Sequence, residues 1–407
     1  MADFVPEMSE PALAAIPIEG YCDPRFEGVR DAFRANFSHA PDPEQGGSLC
    51  VRLGGRVVVD IWGGWVDAER TRPWQRDTLV NAYSVGKGIL AILALSCAEE
   101  GLLDLDATVA SLWPEFAAHD KQRLTVRALM AHRAGLPGVR ALLPRDAMYD
   151  WSLMCSELAA QAPWWEPDGD HGYHTNTQGF LVGEVLRRTT GVPVRRLLRQ
   201  RLCDPIGADY HWGLPAREHA RVSPVFAPQA QLTTPEQWAR AFPPTGDEEH
   251  DTMVWRAYFN PPGLSGLGSV NTAAWREAVI PSTNGHGNAR AVAALYDAHL
   301  RGGVRSGVGG ALVAGAALRA EATKPLSDGI DRVLSRPSRF GLGFQLAQPA
   351  RPIGPSASAY GHFGYGGSLG FADPDATLAF SFLTNRPGDR WLTPRTNRLI
   401  AAVYDAL

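Results

Sequence analysis

The chain reads as an α+β protein, with one antiparallel sheet drawn from both ends of the sequence and a mainly helical lobe between them. Three features carry this. Near the start, two runs rich in β-formers, residues 48–53 and 56–62, flank Gly54-Gly55, a two-residue connection that marks a tight hairpin. Through the middle the apolar period is helical, most densely over residues 84–100, where apolar side chains occupy most faces as in a buried helix. Toward the end strand character returns at residues 341–347, at His362 and at residues 377–384, before a closing helix over 394–406. On this pattern residues 1–80 and 336–407 form a discontinuous sheet domain and residues 81–335 a helical one.

The remaining elements follow from local signals. Residues 23–37 place Phe26, Val29, Phe33 and Phe37 on one helical face. Residues 101–109 read as a turn, and 124–132 as a short helix stopped by Gly135-Leu136-Pro137-Gly138. Further helices are expected over 177–188, 193–202 and 288–301. The stretch 223–268, rich in proline, glycine and acidic residues, reads as loops over a cleft.

Composition narrows the function. The 407 residues are 45 % hydrophobic and 20 % charged, the balance of a globular protein with a sizeable core. A formal charge of -4 gives no electrostatic case for nucleic acid or for an anionic membrane. No run reaches the roughly 18 apolar residues that span a bilayer, and the first twenty residues lack the basic start and apolar stretch of a secretory signal. Five scattered cysteines (Cys22, Cys50, Cys97, Cys155, Cys203) have no metal-ligand spacing and point to a reduced, cytoplasmic compartment. Of 39 basic residues only Lys87, Lys121 and Lys324 are lysines. Where arginine is the default cation, a lysine marks a position that needs an amine able to lose its proton.

One of the three lies in Ser84-Val85-Gly86-Lys87, at the start of the buried helix. Residues three apart share a helical face, so amine and hydroxyl are neighbours. A serine hydroxyl needs a base to become a nucleophile, and a desolvated lysine can be that base. Free amides at a helix start can hold an oxyanion. A serine opening a helix is also an ordinary cap, and chance alone yields about 0.15 such Ser-x-x-Lys matches in a chain of this composition.

Context adds weight. The run AYSVGKGILAILALSCAEEGLLDLDATVASLWPEF, then LTVRALMAHRAGLPG, resembles the serine hydrolases related to class C β-lactamases. The opening GYCDPRFEGVRDAF and the late GGSLGFADPDATLAFSFLTN resemble their bacterial carboxylesterase branch, the family VIII esterases. The resemblance runs from about Gly20 to the C-terminus and implies a β-lactamase/transpeptidase-like fold. It implies Tyr173 as the family's second-motif tyrosine, a phenol that shuttles protons with Lys87 once a lysinium neighbour makes its phenolate accessible. Thr175 stands where that motif has asparagine, with Asn176 adjacent, which weakens the case for lactam binding. His362-Phe363-Gly364 matches the third motif, His362 replacing the lysine of β-lactamases. The resemblance then implies an oxyanion hole from the amides of Ser84 and Tyr365, with His362 and Gly364 supporting the site. Loss of that fixed lysine charge argues for a neutral ester or amide.

The expectation is a serine carboxylesterase acting on small-molecule esters through a Ser84 acyl-enzyme, with no metal or organic cofactor. An acyltransferase of natural-product type would use the same intermediate. The absent signal argues against a D,D-peptidase or β-lactamase, and the intact Ser, Lys and Tyr argue against a non-catalytic binding protein. Trp164 and Trp165 are candidates to line an acyl pocket. Gly366-Gly367-Ser368-Leu369-Gly370 has the form of a nucleophile elbow, but a turn and a strand follow it where a helix is required. His171 and His174 lack a third metal ligand, and His132 reads as structural. The oligomeric state is left open.

Overall fold

Gly54 and Gly55 both adopt positive φ (55° and 84°), the primed turn geometry whose twist matches the flanking strands. They join β2 (Gly46–Leu53) to β3 (Arg56–Gly64), after a short β1 (Ile18–Cys22). The computed structural model describes residues 16–38, 42–226, 243–303, 313–388 and 392–407. The other strands are β4 (Val80–Asn81), β5 (Tyr210–His211), β6 (His286–Gly287), β7 (Ser327–Ile330), β8 (Pro337–Phe340), β9 (Gln345–Leu346), β10 (Tyr360–Phe363), β11 (Leu369–Asp373) and β12 (Leu378–Thr384).

Nine of these form one antiparallel sheet in the order β1-β3-β2-β12-β11-β10-β9-β8-β7, so N- and C-terminal strands meet at its centre. There β12 runs against β2 from Leu378 opposite Leu53 to Thr384 opposite Gly47. Period-2 alternation divides the strands between two cores. Leu49, Val51, Phe380 and Phe382 pack with Val29, Phe33, Leu399 and Val403 of two terminal helices, Glu27–Ala35 and Pro394–Asp405. On the other face, Cys50, Ala379 and Leu383 join the larger core under helices Val85–Glu99 and Ala289–Leu300. With both faces covered, every residue of β12 is buried.

The sheet reaches further upstream than residue 336, the boundary expected from sequence: β7 pairs with β8 from Ser327 opposite Phe340. Its residues, Ser-Asp-Gly-Ile, carry no β-rich signal. Of the strand expected at 341–347 only Gln345–Leu346 forms, because the chain turns at Gly341, whose N–H meets the Phe344 carbonyl. The 223–268 stretch is not all loop. Residues 227–242 lie outside the described residues, but Glu248–Phe259 is a helix, capped by Asp247 accepting from the amides of Glu249 and His250. The helix expected over 193–202 holds only to Leu198, then widens into a π turn. Among the described residues no helix is long and apolar enough to cross a membrane.

The helix Val85–Glu99 decides where the chemistry sits. Thirteen consecutive residues, Val85 to Cys97, are buried. Such enclosure needs close approaches, which the two glycines beside Lys87 permit. A Cβ on Gly86 would overlap the Pro281 carbonyl, and one on Gly88 the Tyr296 hydroxyl. Gly88→Ala is therefore expected to destabilise the fold by about 1–3 kcal/mol, the usual effect of overpacking. Adding Tyr296→Phe should recover part of that loss, as read from urea unfolding midpoints; equal midpoints for Gly88→Ala and wild type would contradict the packing.

Candidate active site

Ser84 immediately precedes this helix. Its neighbour Tyr83 has φ +49°, a left-handed conformation uncommon outside glycine and a mark of functional turns. The amides of Val85, Gly86 and Lys87 are used by the carbonyls of Ala82, Tyr83 and Ser84, leaving the Ser84 N–H without a backbone acceptor among the described residues. Just upstream, β4 pairs with β6 and Ala82 N–H donates to Gly285 O. The same 280–287 segment supplies the carbonyl of Ser282.

Lys87 is 2 % exposed. Its Nζ lies 2.9 Å from Ser84 Oγ and donates to Ser282 O at 3.0 Å. It also sits 4.9 Å from the centre of the Tyr173 ring. Ser84 lies close enough to the Tyr173 phenol to favour its ionised form. Hydroxyl, amine and phenol are thus brought together from two segments.

Burial governs the charge states. It holds the Lys87 ammonium well below its ordinary 10.5, with no carboxylate among the causes to offset it. It pushes the Tyr173 phenol up, against a smaller lowering by Ser84. Burial thus disfavours the charged form of both groups. The same desolvation opposes the phenolate that a lysinium neighbour is expected to make accessible.

His362 stacks on Tyr173 (5.9 Å, 27°), and its Nδ1 donates to Phe363 O at 2.8 Å, leaving Nε2 as the lone-pair nitrogen. Burial holds it well below 6.5, so it is a neutral ring. It does not carry the charge of the lysine it replaces. Yet Arg351 lies within electrostatic range of both Tyr173 and His362. Gly364 brings the end of β10 against the nucleophile turn: a Cβ there would crowd the Ala82 carbonyl. Next to it, Tyr365 is 41 % exposed and packs edge-on against Tyr83 at 5.5 Å.

The sequence profile described as Beta-lactamase matches residues 33–405. The chain belongs to the Beta-lactamase family. Within that family it is 35 % identical over 378 residues to the esterase/beta-lactamase LipL of Mycobacterium tuberculosis, covering 90 % of this chain and 82 % of that protein. A crystal structure of a family VIII carboxylesterase superposes with a TM-score of 0.86 at 38 % identity, over 96 % of this chain and all of the other. A shorter match, 30 % over 160 residues, is to the monacolin J acid methylbutanoyltransferase of Aspergillus terreus, covering 33 % of this chain and 38 % of that enzyme.

The other expected residues are distributed around this centre. The Thr175 hydroxyl donates to Tyr173 O at 3.4 Å and lies near the half-buried Tyr258 phenol. Asn176 points away, its amide held by Ala257 O, Ser265 Oγ and the Thr283 hydroxyl, so it does not replace the asparagine missing at 175. Trp165 backs the tyrosine loop: it is 7 % exposed, packs on His174 and donates to Asp170 O. Trp164 donates to Gly138 O beneath the Arg140 guanidinium. Ser368 is buried and opens directly into β11, with no helix behind it. His171 and His174 are both engaged with protein groups, Ser338 Oγ for the first, Leu136 N–H and Gly172 O for the second.

One residue read as structural and one backbone group that sequence cannot show support the site. His132 (φ +64°) takes the His174 amide on Nδ1 and sets its ring edge-on to Tyr173 at 5.3 Å. The Ser282 carbonyl, a backbone atom, leaves no trace in residue type. The lysine argument also marks Lys121, buried and lowered to about 8, which donates to the carbonyls of Ala118 and Gln161 away from the site.

With Lys87 acting as the base in its unprotonated form, kcat/KM for an activated ester should rise with pH through an acid limb well below 10.5. Lys87→Arg should abolish that limb together with at least about 10²-fold of the rate. A limb near the ordinary lysine value would contradict the desolvated site.

Proposed function

We propose that the chain is a serine carboxylesterase acting on small carboxylic esters by way of an acyl-enzyme on Ser84. The observation that carries this is a buried amine, without a carboxylate partner among the described residues, 2.9 Å from a helix-start serine hydroxyl and 4.9 Å from the centre of a phenol ring. Ser84 Oγ attacks the ester carbonyl while its proton passes to neutral Lys87. The amides of Ser84 and Tyr365 receive the oxyanion, worth roughly 3–4 kcal/mol per donor in such holes. As the tetrahedral adduct collapses, the C–O bond to the alcohol breaks. The departing oxygen takes the Tyr173 proton, which the lysinium restores. Water repeats the sequence in reverse and releases the acid.

The LipL match and the family VIII superposition support ester cleavage over nearly the whole chain, whereas the acyltransferase match covers a third of it. Transfer to an acceptor alcohol shares every step but the last. The five cysteines are free and buried, which supports a reducing, cytoplasmic setting.

Intact-mass spectrometry after exposure to a fluorophosphonate, or to a short p-nitrophenyl ester, should show one adduct mapping to Ser84 and none on Ser84→Ala. Unchanged labelling of Ser84→Ala would exclude the nucleophile. Tyr173→Phe should keep the fold and lose about 10²–10⁴-fold in kcat/KM; a loss under three-fold would remove the phenol from the proton path.

A further inference from the structure

Tyr173 lies on a segment without regular secondary structure, between Asp170 and Thr175. In such a segment, phenol placement rests on where each backbone group is tied. The Gly172 amide goes to His132 O at 3.1 Å and the His174 amide to His132 Nδ1 at 3.1 Å. The amide of Tyr173 itself crosses 158 residues of sequence to Asp331 Oδ1, at 3.0 Å.

Asp331 is fully buried at the end of β7. The same Oδ1 accepts the amides of Val333 and Leu334 at 2.8 and 2.9 Å, closing the turn into β8. Its Oδ2 accepts the Ser338 hydroxyl at 2.8 Å, and Ser338 in turn meets His171 Nε2 at 3.0 Å. The hairpin therefore grips the tyrosine loop at His171 and at Tyr173. It also provides the platform under the ring: Phe340, the last residue of β8, stacks on Tyr173 at 5.9 Å and 4°. Stacking of parallel rings leaves in-plane sliding open, and the tie at the backbone amide closes it.

We propose that Asp331 is a positioning residue of the active site, fixing Tyr173 so that its hydroxyl meets Ser84. The assignment rests on the reading of Tyr173 as proton carrier. A carboxylate here suits the task because a single oxygen must serve three amides at once, which a charged acceptor does better than a neutral one.

The test is a double-mutant cycle on the acylation burst with a p-nitrophenyl ester, run alongside thermal melting. Asp331→Ala should slow acylation about 10²-fold, the scale of a displacement near 1 Å, with KM changed less than about three-fold. Asp331→Asn, which keeps an acceptor oxygen, should recover most of that rate. In a Tyr173→Phe background, Asp331→Ala should cost nothing further. An equal fall in both backgrounds would make Asp331 a purely structural residue, as would a folded Asp331→Ala that acylates at the wild-type rate. Should Asp331→Ala not fold, Ser338→Ala replaces it: slower acylation confined to the background that retains Tyr173 supports the proposal, and an unchanged rate overturns it. Tyr173→Phe acylating like wild type would sink the reading of Tyr173 instead, so the two failures are distinguishable.

Discussion

An ammonium group buried without a counter-ion costs several kcal/mol, and a protein can avoid most of that by letting the group shed its proton. Lys87 is in this position. Its side chain runs inside a helix enclosed on every face, and its amine meets a hydroxyl and a carbonyl but no carboxylate. The unprotonated amine this favours is the form a serine nucleophile needs beside it. Chemistry at the site follows from solvation as much as from the identity of the residues.

The fold supplies the enclosure. The helix lies between the sheet and the helical lobe, with Ala289–Leu300 beside it and β10 running across its start. Gly86 and Gly88 let the Pro281 carbonyl and Tyr296 close in around the lysine. The segment that lends its Ser282 carbonyl to Lys87 also pairs with the strand leading into Ser84, so Lys87 and Ser84 share one scaffold. Tyr173 is delivered separately, by a loop tied to His132 on one side and to the β7–β8 hairpin on the other. Preorganisation of this kind places the groups before substrate arrives.

Much of this was legible in the residues. The Gly54-Gly55 hairpin, the enclosed helix and the closing helix follow from period and turn chemistry. Lys87 stood out because lysine is scarce here, a signal that Lys121 shows to be one of burial before one of catalysis. Tyr173 came from a motif and not from physics, since nothing in its neighbours' types marks a phenol as reactive. What stayed hidden is what sequence encodes weakly. Asp331 looks like any turn aspartate until the hairpin folds back over a loop 158 residues away. The Ser282 carbonyl has no residue signature, and Glu248–Phe259 was masked by its acidic flank. Desolvation of Lys87 was readable from its place in a buried helix, whereas the burial of the Tyr173 phenol emerges only from the fold.

The central claim is the charge state of one amine, and the chain is well suited to measuring it, having only three lysines. With lysine carrying ¹³C at the ε-carbon, NMR would follow each separately across a pH titration, Lys87→Ala assigning the signal. The account predicts that Lys87 remains unprotonated to a pH well below 10.5. A Lys87 signal titrating at or above that value would contradict it.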